Sequence, residues 1–145
     1  MCGFSGFLNF NPNWGDPLTL LQQMGDQLTH RGPDDSGVWF DNNCGVGLSH
    51  RRLSIIDLSA QGHQPMSSTS GRFVIAYNGE IYNHQELKKE LLQAGVIFRG
   101  GSDTEVLLAA IESWGIKQTL QRCIGMFAFS LWDKKEQTLS LVRDR

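Results

Sequence analysis

Cys2, in the opening run Met1-Cys2-Gly3-Phe4-Ser5-Gly6, is the side chain best placed to do chemistry. Removal of Met1 would leave a thiol and a free α-amine on one terminal residue. Free α-amines titrate at roughly pH 7.7–8.0 and free thiols at roughly 8.5. Such an amine is part neutral near pH 7, so it can take the thiol proton during attack and return it to a departing nitrogen. A small second residue suits removal of Met1 by an aminopeptidase, and the two glycines let the backbone turn tightly and a substrate come close. A lone cysteine is also a common core filler. The rest of the chain must therefore supply an oxyanion donor, a substrate anchor and a fold that brings the terminus to a pocket.

Asn78-Gly79-Glu80 is the candidate donor. Asn-Gly after a strand usually makes a hairpin turn. Here Asn83-His84-Gln85-Glu86 reads as a helix N-cap with glutamate at the third helical position, followed by Leu87, Leu91 and Leu92. The pattern predicts a strand-to-helix corner that offers an amide side chain and an unhindered glycine N–H, where anions and oxyanions bind. Arg51-Arg52 read, from charge alone, as a solvated pair. Ser102 to Glu105 repeats the capping box and puts Asp103 in a first helical turn, where dipole compensation alone accounts for an acid. The four histidines, His30, His50, His63 and His84, show no HxxxH or HExxH spacing. Cys2, Cys44 and Cys123 are too few for a disulfide scaffold and too far apart for a CxxC knuckle, so no metal site is expected.

The elements that must position these residues follow from periodicity. Residues 4–10 alternate as a strand, ended by Asn11-Pro12-Asn13-Trp14-Gly15. Asp16-Pro17 open a helix whose face is Leu18, Leu21, Met24 and Leu28, ending near His30. A polar loop, Arg31-Gly32-Pro33-Asp34-Asp35-Ser36-Gly37, leads to a hairpin of Val38-Trp39-Phe40 and residues 44–48, then a strand-like piece at 53–56. Residues 59–71 have no period, and long loops of that kind are often active-site lids. Residues 72–77 form a strand running into Asn78. The helix after Asn83 stops at Gly95, Val96-Ile97-Phe98 is a short strand, and Val106, Leu107, Ala110, Ile111 and Trp114 mark a third helix closed by Gly115. A hairpin joins 125–132 to 138–142. Strands in runs with helices grouped between them imply a layered α+β domain with mostly antiparallel sheets.

At 145 residues the chain is one domain, with 40% hydrophobic and 19% charged residues. Thirteen basic and fifteen acidic residues give a net charge of −2 with both signs scattered, so neither nucleic acid nor an anionic membrane is an expected partner. No signal peptide or membrane-length apolar run is present, and a cytoplasmic protein with reduced cysteines is expected.

Met1-Cys2-Gly3, His30-Arg31-Gly32-Pro33-Asp34, His50-Arg51-Arg52-Leu53-Ser54-Ile55, Asn78-Gly79-Glu80-Ile81-Tyr82-Asn83, Gly101-Ser102-Asp103 and Gly125-Met126-Phe127-Ala128-Phe129 stand in register along nearly the whole chain. Together they resemble the glutaminase domain of class II glutamine amidotransferases, among the N-terminal nucleophile hydrolases, and most of all that of glutamine-hydrolysing asparagine synthetases. The resemblance implies a four-layer α/β/β/α sandwich of two antiparallel sheets. It implies that Cys2 attacks the carboxamide of L-glutamine, that Asn78 and Gly79 form the oxyanion hole, and that Arg52, Leu53, Ile55, Glu80 and Asp103 bind the substrate. Arg52 would take its α-carboxylate, and Asp103, helped by Glu80, its α-ammonium. Residues 59–71 and Arg31-Gly32-Pro33 would line or cover the pocket.

On this reading residues 1–145 are a glutaminase domain lacking its final segment and the synthetase domain that follows it in the family. No cofactor is expected here; ATP and Mg2+ would belong to the missing domain. The expected partners are L-glutamine and that C-terminal domain, with a homodimer left open. Two alternatives stand beside asparagine synthesis: a glutaminase serving a surface-polysaccharide or other carboxylate amidotransferase, and an inactive truncated domain with a packing or assembly role.

Overall fold

Alternating apolar residues in two hairpins build the centre of the molecule, and each alternation commits one face of a sheet to a different neighbour. The computed structural model describes residues 2–54 and 60–144. In the first sheet β1 (Gly3–Phe7) and β2 (Asp35–Asp41) flank β3 (Val46–Arg52), all antiparallel. The second sheet runs β4 (Met66–Ser67), β5 (Phe73–Ile81), β6 (Gly125–Asp133), β7 (Thr138–Arg143), again antiparallel. The helices are α1 (Pro17–Asp26), α2 (His84–Gln93), α3 (Asp103–Trp114) and α4 (Ile116–Arg122).

Val74 and Ala76 of β5 and Trp132 of β6 meet Val46 and Leu48 of β3 between the two sheets, with Phe4 and Trp39 packed against them. The residues between them in sequence, Phe73, Ile75 and Tyr77, and Phe127, Phe129 and Leu131 of β6, turn the other way into a core shared with Leu87, Leu91, Val106, Leu107 and Ile111 of α2 and α3. Helix α1 covers the outer face of the first sheet through Leu21 and Gly25; a Cβ on Gly25 would lie 2.4 Å from Ser49 Oγ, so only glycine lets the helix sit that close. The order is thus helix, sheet, sheet, helices, an α+β sandwich of four layers. Burying each large aliphatic or aromatic side chain in it is worth about 1.5–3 kcal/mol. Among the described residues no helix is long and apolar enough to cross a membrane.

Several expected boundaries move. The first strand ends at Phe7 rather than residue 10, and the first helix at Asp26 rather than near His30, because 27–31 continue as isolated turns. Leu18, expected on the buried face, is half exposed. The strand expected at 53–56 is absent at Leu53 and Ser54, since β3 stops at Arg52; Ile55 and Ile56 lie outside the described residues. The loop 59–71 contains a 3-10 turn (Ala60–Gly62) and β4. Asn78-Gly79 is no corner: β5 continues to Ile81 because β6 pairs with it throughout, Asn78 opposite Ala128 and Gly79 opposite Phe127. Asn83 occupies the N-cap of α2 without capping it, because its amide bridges Arg122 O and Ile124 N–H, each at 2.9 Å. Val96-Ile97-Phe98 is not a strand, and α4, at seven residues too short to display a period, was not expected.

Candidate active site

Cys2 stands one residue before the first paired position of β1, Gly3 opposite Arg51, which sets it beside Arg52 and Leu53. Its carbonyl accepts a hydrogen bond from Arg31 Nε at 3.1 Å. Its sulfur accepts the Leu53 N–H at 3.3 Å and lies 3.7 Å from Leu53 O, so the backbone of Leu53 holds the thiol. The other two thiols are poorer candidates. Burial pushes Cys123 up to about 11, and desolvation with the charge of Asp41 raises Cys44, both of which disfavour the thiolate that attacks.

The end of β3 is braced from below. Asp34 N–H donates to Arg52 O at 3.0 Å and the Asp34 carboxylate accepts the Ser54 N–H at 2.8 Å. A Cβ on Gly32 would lie 2.5 Å from the Arg51 carbonyl, so this loop packs backbone on backbone. Arg31-Gly32-Pro33, expected to line or cover the pocket, therefore buttress the strand instead. Arg52 is 8% exposed, and its guanidinium lies against Gly62. Arg51, on the opposite face, turns away to Gly25 O at 3.2 Å and to the Asp26 carboxylate.

From the second sheet, β5 carries Asn78, Gly79 and Glu80 past the same point. Gly79 has φ 156°, and a Cβ there would lie 2.3 Å from Met126 O, which no side chain tolerates. Ser102 caps α3 by accepting the Glu105 N–H at 3.2 Å, while the Glu105 carboxylate, expected to complete the box, takes the Arg99 and Gly100 N–H groups. Asp103, 6% exposed in that first turn, accepts from the Tyr77 hydroxyl at 2.8 Å and the Ile81 N–H at 3.0 Å.

These pieces enclose one cavity of about 180 Å³, a scale suited to a single small metabolite. It is lined by Cys2, Arg52 and Leu53 on one side and by Asn78, Gly79, Glu80 and Asp103 on the other. Seven of the eight residues singled out from the sequence thus meet there; Ile55 lies outside the described residues. Among the described residues its wall carries one guanidinium, Arg52, and two carboxylates, Glu80 and Asp103, which suits a zwitterion. Among the described residues no group of His, Cys, Asp and Glu is arranged to hold a metal ion.

Gly62, Gln64, Tyr77, Ser102, Thr104 and Met126 line it too; Gly62 and Gln64 fall in the 59–71 stretch expected to line or cover the pocket, and none of the six was singled out by itself from the sequence. Strand β4 begins only at Met66, opposite Ile75, so the N–H and C=O of Tyr77 have no strand partner on that side. Side chains replace it: Gln64 Oε1 accepts the Tyr77 N–H at 2.7 Å, and His50 Nε2 donates to Tyr77 O at 2.9 Å. Burial pushes His50 down to about 4, so the ring is neutral, with Nδ1 buried and without a partner among the described residues. Nothing in the sequence separates Gln64 from Gln61 in the same loop; only the fold buries Gln64 against Tyr77.

The sequence profile of a family described as a glutamine amidotransferase domain matches residues 1–145. An asparagine synthetase [glutamine-hydrolyzing] 3 of Bacillus subtilis is 40% identical over all of this chain and 23% of its own length, and its paralogue 1 is 42% identical over 99% and 22%. Amidase chry2 of Gibberella zeae is 38% identical over all of this chain and 23% of its own length. The chain thus spans less than a quarter of these curated relatives. Among solved structures, the glutamine phosphoribosylpyrophosphate amidotransferase of B. subtilis superimposes with a TM-score of 0.69 over 86% of this chain and 34% of its own, at 23% identity, a likeness of fold. With that profile matched along its whole length, this chain belongs to the glutamine amidotransferase domain family.

Proposed function

We propose that the chain hydrolyses L-glutamine to glutamate and ammonia through a thioester on Cys2. The observation that carries this reading is a single cavity lined by a terminal-strand thiol, an amide donor with a neighbouring glycine, a buried guanidinium and a buried carboxylate. Once Met1 is removed, the α-amine of Cys2 takes the thiol proton as sulfur attacks the substrate carboxamide carbon. The resulting oxyanion lies against the Asn78 amide and the Gly79 N–H. The C–N bond breaks as the ammonium returns its proton to the leaving nitrogen, releasing ammonia and leaving a γ-glutamyl thioester. Water, deprotonated by the same amine, then attacks that carbonyl, and thiolate departure gives glutamate. Arg52 holds the α-carboxylate by a planar fork, and Asp103 with Glu80 holds the α-ammonium. Blocking either end of the substrate would leave a buried charge unpaired, which selects free glutamine over glutamine within a peptide.

The ammonia is proposed to serve an ATP- and Mg2+-dependent synthetase that amidates aspartate, a reading supported by the 40–42% identity to the two Bacillus subtilis asparagine synthetases. Two measurements test this. A diazo-oxo-norleucine adduct mapped by mass spectrometry is expected on Cys2, with Met1 absent from the labelled peptide; an adduct on Cys44 or Cys123 would refute the nucleophile. Glutamine- and ATP-dependent asparagine formation by the protein at its natural length is the test of the acceptor, and ammonia release without asparagine would remove that part alone.

A further inference from the structure

Tyr77 has no part in the reaction as written, yet all its polar groups are committed to the site. It is 2% exposed, and its backbone N–H and C=O are taken by Gln64 and His50. It immediately precedes Asn78. Its hydroxyl reaches 26 residues along the chain to Asp103.

The geometry of that last bond carries the argument. Both donors to Asp103, the Tyr77 hydroxyl and the Ile81 N–H, address the same oxygen, Oδ2. Oδ1 takes no hydrogen bond among the described residues, and it is not one of the buried polar atoms shut off from solvent without a partner. The open oxygen thus keeps contact with solvent, on a residue that lines the cavity.

We propose, resting on the reading that Asp103 receives the substrate ammonium, that Tyr77 is a positioning residue for amino-acid selection. Its hydroxyl fixes Asp103 with Oδ2 turned toward β5 and Oδ1 presented to the ligand. Burial, and then the charge of Asp103, raise the phenol far above the ordinary tyrosine range, so it stays protonated and donates at every working pH. Because its backbone is clamped from two sides, the residue that orients the ammonium anchor also fixes the start of the Asn78-Gly79 segment. Loss of the hydroxyl leaves the ring packed in the core and Asp103 held by one donor instead of two, so the carboxylate spends less time in the receiving orientation.

A substrate without an α-ammonium makes the effect separable from general damage. 4-Carbamoylbutanoate is glutamine without its amino group and keeps both the carboxylate for Arg52 and the carboxamide for Cys2. In the protein at its natural length, Tyr77→Phe is expected to raise KM for glutamine roughly tenfold, the scale of a hydrogen bond to a charged group. Turnover number should stay within about twofold, and kcat/KM for 4-carbamoylbutanoate should barely move. The preference for the amino acid then shrinks about tenfold. Equal losses on both substrates, or a fall in kcat at constant KM for glutamine, would overturn the proposal. Should the Phe variant not fold, Tyr77→4-aminophenylalanine takes its place: a weaker neutral donor in the same position predicts an intermediate KM for glutamine and an unchanged 4-carbamoylbutanoate rate. A wild-type protein that forms no adduct on Cys2 and releases no ammonia defeats the glutaminase reading itself, a failure visible before any Tyr77 variant is compared.

Discussion

The Arg52 guanidinium lies against a residue with no side chain. A Cβ on Gly62 would lie 2.0 Å from a guanidinium nitrogen of Arg52 and 2.5 Å from Cζ, so the turn at 60–62 forms a wall behind the proposed carboxylate anchor. Gly62→Ala must displace the fork. It is expected to raise KM for glutamine by roughly an order of magnitude or more, as misplacement of a positioning group by about 1 Å does, and Arg52→Lys should act in the same direction because an ammonium cannot chelate a carboxylate. Steady-state ammonia release checks both. Asn78→Ala removes the proposed oxyanion donor instead, so it should lower kcat by about 10²–10³-fold and leave KM nearly as it was. The arginine pair also marks how far the sequence carried. Neighbours on a strand point to opposite faces, so one of Arg51 and Arg52 had to leave the surface once β3 was buried on both sides. Charge alone reads both as solvated, and only the family resemblance singled out Arg52. Gly62 and Gln64 were legible only as members of a loop without a period, because their contacts cross the fold.

Strand β5 does in one piece what the sequence pattern divides between a strand and a corner. Asn-Gly favours a turn locally, but nine residues of continuous pairing with β6 outweigh that preference, and the glycine serves close approach to Met126 instead. The same competition cancelled the capping role of Asn83. Local signals were reliable where no distant group competed, as at Asp16, whose carboxylate caps α1 through the Thr19 N–H at 2.7 Å. The tie between β3 and β5 at His50 makes a pH prediction. The ring is 1% exposed; burial depresses it to about 4 from 6.5, opposed by its bond to Tyr77 and by Asp35, and assisted by Arg52 and His63. Between those values the unfolded chain binds a proton that the folded chain refuses, so stability falls as pH drops through that window and levels off below it, by at most about 3 kcal/mol. His50→Gln retains a donor for Tyr77 O and cannot ionise. Urea unfolding at pH 7 and pH 4.5 should show a smaller loss in the variant than in the wild type, and parallel losses would assign the acid sensitivity to other groups.

The site exists only where two sheets meet. Cys2, one residue before β1, and Arg52 stand at the first sheet, Asn78 and Gly79 lie in the second, and the residues packed between the sheets set the spacing between the proposed nucleophile and the proposed oxyanion donor. Periodicity revealed each sheet's faces but not which apolar face would meet which, because two strands of period two look alike whatever covers them; the layer order came from resemblance. That spacing can be tested without touching a cavity residue. Ala76 is fully buried at the inter-sheet core, beside Val74 and opposite the layer of Val46 and Leu48. Ala76→Leu adds three carbons to a filled space, which costs about 1–3 kcal/mol and relaxes by backbone shift. Because the shift acts along the line from one sheet to the other, it should separate sulfur from Asn78 and leave Asp103, anchored on α3 beyond the second sheet, in register with β5. The expected signature is a fall in kcat of tenfold or more with the folded fraction unchanged, since reacting atoms displaced by about 1 Å lose up to two orders of magnitude in rate. Ala76→Gly removes volume instead and should lower stability with a smaller effect on turnover. If both variants lost stability and kept the wild-type kcat, the inter-sheet packing would not govern the geometry of the reaction.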